Sequence, residues 1–420
     1  MRCSSLLLAL AGSTCLVAAQ AQGPDPAELE KLKARAEALT KALSAVTADG
    51  KMTQSDEGLK KLEEILAELK EIRARLKRLE AGQPKPPTPA PATKKLDPIA
   101  ISGFMQNQYI ISNLQQGPFD AIRVRRARLN FTQTLDSKTV GRYSVEFANG
   151  TPQNQAQLRD AFISYRPEGR DAPFGTTLIA GQQNTPMGYE ISWGSGNRPW
   201  PERAQYNQTL FAAERGQGLL IQRGTKEVYG YIGIWNPLTL NDPERVNTPS
   251  VGKPSLIIGG RAKTRDLEVG LSAMFGKRPQ FRPNGSNVIS PETERNFFYL
   301  DGQWNPGHGR VWVRAEGMIG KDRIPNATPS ANAFANPVSG YHAELDYQLT
   351  KQDLLMLRQE EFDRNRGPKG DTFHMVGFGL VRDLSDYLRL TISYEWVTDA
   401  TAPFGKSRYN LLTLRTQIRF

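Results

Sequence analysis

Asn410-Leu411-Leu412-Thr413-Leu414-Arg415-Thr416-Gln417-Ile418-Arg419-Phe420 ends the chain and alternates throughout, with Leu412, Leu414, Thr416, Ile418 and Phe420 on one face and Thr413, Arg415, Gln417 and Arg419 on the other. An extended segment of this kind has one face suited to oil and one to water, because side chains on a strand point to opposite sides at every residue. The same period of two recurs upstream, for instance in Tyr143-Val145-Phe147, Leu267-Val269-Leu271-Ala273-Phe275, Tyr341-Ala343-Leu345-Tyr347 and Leu388-Leu390-Ile392-Tyr394-Trp396. Followed through the chain, it predicts strands at 99–110, 122–135, 142–149, 157–166, 176–183, 217–223, 227–235, 254–264, 266–275, 295–305, 309–319, 338–349, 353–363, 371–381, 387–397 and 408–420. The total is even, as a closed antiparallel barrel in a bacterial outer membrane requires. A terminal aromatic on an alternating last strand is the feature such barrels present for assembly, which singles out Phe420 as a barrel assembly signal read by the barrel assembly machinery.

The connections keep the same rhythm. Tight ones, such as Asp136 to Gly141, Thr264 to Asp266, Asn305 to Gly309, Thr350 to Asp353 and Arg382 to Asp386, interleave with long ones at 184–216, 236–253, 276–294 and 320–337. Short periplasmic turns and long outer loops are the expected asymmetry, and both chain ends then lie in the periplasm. A water-soluble sandwich has no reason to sustain this pattern. The expected fold is an all-β transmembrane barrel over 98–420.

Upstream the texture differs. Residues 81–97 are a proline-rich linker that extends rather than packs. Before it, 22–80 reads as a helical coiled-coil region, with Leu29, Leu32, Ala36, Leu39, Leu43 and Val46 on one face of a first helix and Leu62, Ile65, Leu69, Ile72, Leu76 and Leu79 on one face of a second. Leu and Ile in those heptad positions favour three or four strands over two, although a helix pair packed on itself explains the pattern as well. Between them, Asp49 to Asp56 resembles half of a calcium loop, but Ala45 and Thr47 stand where two oxygen ligands belong, so no metal is expected. Residues 1–21 read as a secretory signal peptide: Arg2, an apolar run from Leu6 to Ala19, and Ala19-Gln20-Ala21 before the cut. Thr14 and Gly12 disfavour a lipid-modified Cys15, and with Cys3 and Cys15 both in the signal, the mature chain has no thiol chemistry. No apolar run of eighteen residues follows, which excludes a membrane-spanning helix.

Within the barrel region, Arg125-Arg126-Ala127-Arg128-Leu129, Leu158-Arg159-Asp160-Ala161-Phe162-Ile163, Ala180-Gly181-Gln182 with Thr185-Pro186-Met187-Gly188-Tyr189-Glu190, and Arg203 with Glu214-Arg215-Gly216-Gln217-Gly218 resemble the phosphate-selective porin O and P family. The resemblance spans about 99–420. It implies a homotrimer of sixteen-stranded channels conducting small anions such as phosphate, with a third outer loop folded inward. That loop, 184–216, carries Arg198, Arg203 and Arg215 as candidate constriction residues, but no lysine. Family members place lysines at the narrowing, so tight phosphate selectivity is less expected than general anion passage.

The net charge of +11 falls mostly on the barrel, since residues 24–80 hold twelve Lys or Arg against twelve Asp or Glu. Export argues against a nucleic-acid partner and leaves membrane lipids and anionic solutes. With the apolar parity facing lipid, Arg126, Arg128, Arg261, Lys263, Arg310, Arg314, Arg358, Arg389, Arg415 and Arg419 turn toward the lumen as a candidate anion pathway. Guanidinium stays charged and offers forked donors to oxyanions. Arg126, Arg128, Arg415 and Arg419 come from strands flanking the first, so they should share a wall. The same parity turns Glu146, Asp160, Glu268, Asp301, Glu316, Glu344, Asp346, Glu360 and Glu395 inward, so an unselective general porin is the alternative.

An enzyme is not expected. His308, His342 and His374 are scattered, with His342 and His374 inward by parity, and neither a metal site nor a nucleophile–base pair has a local motif. Gly216-Gln217-Gly218 lacks the third glycine of a nucleotide loop, where Ile221 stands, so no cofactor is indicated. The remaining alternative is structural: a tether joining the outer membrane to peptidoglycan through the coiled coil.

Overall fold

A computed structural model describes residues 26–48, 56–80, 98–113, 121–148, 156–242, 244, 252–280, 290–306, 309–323, 335–366, 371–400 and 408–420. The signal segment, the proline-rich linker, His308 and all of the calcium-like loop but its last residue lie outside them. The chain divides at residue 94 into two units.

The first unit holds α1 (Pro26–Ala48) and α2 (Asp56–Glu80). Leu39, Leu69 and Ile72 are buried where the two helices meet, with Leu32, Ala36, Ile65 and Leu76 packed around them. The apolar faces read from the sequence thus meet within one chain.

The second unit is a closed antiparallel barrel of sixteen strands. They are β1 (Ala100–Ser112), β2 (Ala121–Thr134), β3 (Thr139–Glu146), β4 (Gln157–Tyr165), β5 (Gly175–Asn184), β6 (Arg215–Gly224), β7 (Val228–Trp235), β8 (Ser255–Lys263), β9 (Leu267–Arg278), β10 (Thr293–Trp304), β11 (Val311–Asp322), β12 (Asn336–Gln348), β13 (Asp353–Asp363), β14 (Thr372–Asp383), β15 (Leu388–Asp399) and β16 (Arg408–Arg419). Each pairs with its sequence neighbours, and β1 closes on β16 with Phe104 opposite Arg419 and Ser112 opposite Leu411. At the seam the Gly103 and Phe420 backbones exchange hydrogen bonds of 2.9 and 3.1 Å, and the Phe420 ring lies where a side chain on Gly103 would stand. Every unit of the ladder is therefore paired, and no strand edge is left for lipid to meet.

Alternation holds along most of the wall. On β16, Thr413, Arg415 and Gln417 are buried inward while Leu414, Thr416 and Ile418 stand outside. The outer face is an apolar band that includes Ile163, Leu219, Leu271, Leu300 and Leu357. Among the described residues no helix is long and apolar enough to cross a membrane; the strands span it.

Three local departures have clear causes. The third strand begins at Thr139, three residues before its expected start, because the Asp136 carboxylate accepts the backbone N–H groups of Lys138 and Thr139 at 2.7 Å and closes the turn early. A bulge opposite Gln106/Asn107 leaves Arg125 as the extra residue of β2, and another at Ser144/Val145 leaves Arg159 as the extra residue of β4. One extra residue shifts the alternation, so both arginines turn inward beside Arg126 and Asp160. The third departure is His374, expected inside. Phe373 and Met375 take the inward positions of β14, and His374 faces outward, 3.3 Å from Glu361.

Candidate functional site

Between β5 and β6 the chain leaves the wall and folds through the lumen. The excursion starts and ends where Asn184 pairs with Arg215 and where Thr185 donates its N–H to the Glu214 carbonyl at 2.8 Å. It contains α3 (Gly188–Ser192) and α4 (Gln205–Leu210), whose contacts run to β9, β10, β11, β12 and β13. Met187, Ile191, Tyr206 and Leu210 are fully buried there.

Polar anchors on the inner wall explain this seating. The Glu316 carboxylate accepts the backbone N–H groups of Tyr189 (2.7 Å) and Glu190 (3.0 Å), the Tyr206 hydroxyl (2.9 Å) and the Asn207 amide (2.7 Å). His342 sits between the Tyr189 and Tyr206 hydroxyls at 2.7 and 2.8 Å, and Arg358 pairs with Glu190 at 2.9 Å. Gly188, at φ +58°, leaves the Glu316 carboxylate the space a Cβ would fill, and Gly340 does the same for the Tyr206 ring. Glu190, Glu316 and His342 offer oxygen and nitrogen atoms within 4.8 Å of one another, a spacing a metal could use. Their atoms are engaged by the partners just named, so the cluster is a fastening for the inserted segment.

The two sides of the lumen differ in sign. On the anchoring side, Arg314 pairs with Glu344 (3.1 Å) and with Asp346, and Arg358 pairs with Glu190, Glu344 and Glu360. Carboxylates outnumber guanidiniums there. Across the lumen the balance reverses. Glu202 of the inserted segment pairs with Arg125 (2.9 Å), Arg126 (2.8 Å) and Arg415 (2.6 Å). Glu214 pairs with Arg159 (2.7 Å), Arg203 and Arg215 (3.0 Å). Arg128 pairs with Glu146 at 3.0 Å, while Asp160 serves Arg215 at 3.0 Å and Arg142 at 3.6 Å. Arg198 is buried, and none of its guanidinium nitrogens has a hydrogen-bond partner among the described residues. Eight guanidiniums thus share four carboxylates by ion pairing, and Arg198 adds a ninth without a carboxylate of its own. Burial alone would raise the Glu202 carboxyl, but Arg125, Arg126 and Arg415 hold it well below the usual carboxylate range, and Arg203, Arg159 and Arg215 do the same for Glu214.

The open space lies on this arginine-rich side. A cavity of about 800 Å³ reaches the short-turn end at Asp386 and Tyr387, and one of about 230 Å³ reaches the long-loop end at Asn241. Arg128 lines both.

The other sequence-derived candidates fall into three groups. Arg126, Arg128 and Arg415 gather around β1, where Gln106 and Gln108 accept from Arg126 (2.9 Å) and Arg415 (3.1 Å), and Arg419 lines the larger cavity with Arg128. Arg261 is held by Glu268 (2.8 Å) and Asp301 (2.9 Å), Lys263 by Glu268 (3.5 Å) and Arg389 by Asp383 (2.7 Å), while Arg310 is exposed in a turn. Arg314 and Arg358 belong to the fastening. Sequence reasoning missed Arg125, Arg142, Arg159, Glu202 and Glu214. The Arg125-Arg126 doublet inside an otherwise alternating strand was the available sign of a bulge; Glu214 stood in a motif of the resemblance without a role, and Glu202 left no sign.

Residues 102–243, from β1 past β7, match the family model described as phosphate-selective porin O and P, and every motif that carries the resemblance in the sequence lies inside that span. No curated protein matches the chain. Among solved structures, the trimer form of OmpT, an outer membrane protein of Vibrio cholerae, aligns with TM-score 0.53 at 12% identity, covering 77% of this chain and 99% of that one. The outer membrane channel DcaP of Acinetobacter baumannii aligns with TM-score 0.53 at 11% identity over 77% and 97%. The anion-selective porin from Comamonas acidovorans aligns with TM-score 0.51 at 12% identity over 77% and 99%. These likenesses carry the fold: the chain has a porin-type outer-membrane β-barrel.

Proposed function

We propose that this porin-like barrel is a passive outer-membrane channel for small anions, and that the segment 185–214 narrows it. The observation that carries the reading is the division of the lumen. The inserted segment stands on the acidic side and occupies its carboxylates, so the space left for solute runs past Arg126, Arg128, Arg142 and Arg419. Low-dielectric walls focus the field of such a surplus into the passage. The anion-selective Comamonas porin is a relative in fold that supports the same direction. The absence of lysine from 184–216 favours anions in general over phosphate alone.

A salt gradient across a planar bilayer holding the purified protein tests this. A reversal potential of anionic sign is expected; zero potential would establish the unselective porin instead. A homotrimer is part of the proposal, in keeping with the trimer form of the OmpT neighbour and with the Leu and Ile positions of α2. In the same reading the helices stand in the periplasm, where they add a tether to peptidoglycan. Deleting 22–80 should leave conductance intact, whereas a closed barrel would make tethering the main role.

A further inference from the structure

Resting on that reading, we infer that the preferred solutes are organic monocarboxylates with an apolar body rather than inorganic oxyanions. The water side of a transmembrane barrel is ordinarily polar. Here β1, β4 and β5 direct Phe104, Phe162 and Ile179 into the larger cavity, each half-buried, with Leu220 of β6 beside them. The apolar surface is not separate from the cations. Phe162 is the direct cross-strand partner of Arg142, and the Arg128 guanidinium lies 5.3 Å from the centre of the Phe104 ring. Cation and ring are thus paired twice along one passage.

Arg142 has donors to spare. Its side chain is 42% exposed, its single ion pair to Asp160 is long at 3.6 Å, and its Nε has no hydrogen-bond partner among the described residues. A carboxylate on Arg142 would place the carbon body of the same molecule over Phe162. A hydrated inorganic anion would use the charge and gain nothing from the ring, whereas apolar area removed from water stabilises a bound molecule in proportion to its size. About 800 Å³ also exceeds what a single inorganic ion requires and falls in the range of organic ligand sites.

Three probes separate these possibilities: benzoate, acetate and inorganic phosphate, each added while chloride current is recorded through the full-length protein in a planar bilayer. Benzoate should reduce the current at concentrations about tenfold below acetate, the ratio that 1.4 kcal/mol of ring burial produces, and also below phosphate. Phe162→Ser should remove the advantage of benzoate over acetate. Phe162→Leu, which keeps apolar volume, should retain part of it and serves if the serine variant does not fold. Arg142→Gln should weaken block by both carboxylates. Equal block by benzoate and acetate in the unaltered protein, or stronger block by phosphate, overturns the inference. The channel reading stands or falls separately on the sign of the reversal potential, and the block ratio decides the solute class in either case.

Discussion

The two sides of the lumen are built by the same alternation of residues and end with opposite work. On β11 to β13 the inward charges are mostly carboxylates, and the inserted segment covers them. On β2 to β4 and β16 the inward charges are mostly guanidiniums, and the space beside them stays open. A count of inward charges over the whole barrel would cancel the two. In the proposed reading, the sign of the passage follows from which wall the segment 185–214 stands on.

The strongest way to break this contrast is to unfasten the segment. Glu316→Ala removes one acceptor from two backbone N–H groups, a hydroxyl and an amide, each of which costs about 1–3 kcal/mol when left buried and unsatisfied. Single-channel conductance should rise several-fold and become noisy. A quiet, unchanged conductance in a folded trimer would show that the segment is held elsewhere.

Next in size is the arginine wall itself. Replacing Arg126, Arg128 and Arg415 together by Gln should shift the anion-to-cation ratio about tenfold, equivalent to 1.4 kcal/mol in relative barrier height. The shift should be largest in dilute salt, because charges are screened beyond about 8 Å at physiological ionic strength. An unchanged reversal potential would mean that Glu146, Glu202 and Glu214 already neutralise that wall.

Glu202 sharpens the point in the other direction. Glu202→Gln should increase anion preference by a few-fold, since it removes negative charge from among three arginines. The pH dependence follows from the same contacts. A carboxyl held below its ordinary value contributes its stability above that value and loses it as pH falls through the lower, folded-state one. The effect of Glu202→Gln on the reversal potential should therefore be constant from pH 7 down to about 4, the ordinary range for a free carboxyl, and shrink only below it. Reversal potentials of the variant and the unaltered protein measured across that window check this, and a difference that closes near pH 6 would contradict it.

The smallest effect is expected at Arg389. It lines neither cavity, and Asp383 at the edge of the barrel already offsets its charge at 2.7 Å. Arg389→Gln should leave both conductance and reversal potential within error, and a clear shift would add Arg389 to the residues that set selectivity.

The wall was legible in the sequence because its cause is local. Alternation in Leu412 to Phe420 or Leu388 to Trp396 needs only the chain itself and the contrast between oil and water. The turns were nearly as legible, except where a side chain such as Asp136 ended one early. The site was less so. Arg125 and Arg159 face inward only because a neighbouring strand is one residue shorter at that point. Glu202 and Glu214 are ordinary loop residues until the segment that carries them crosses the lumen, and that crossing depends on Glu316 and His342, more than a hundred residues downstream. Register between distant strands sets these contacts, and no local spacing encodes it.

The seam between Gly103 and Phe420 has a kinetic consequence. All other strand pairings join neighbours in sequence, and each can form soon after its two strands exist. The pairing of β1 with β16 joins the first strand of the barrel to the sixteenth, so it waits for all the others. Until then the sheet has two open edges, which lipid cannot satisfy. On this topology ring closure is the last pairing able to form, and removal of Phe420 takes away one partner of the hydrogen bonds at the seam.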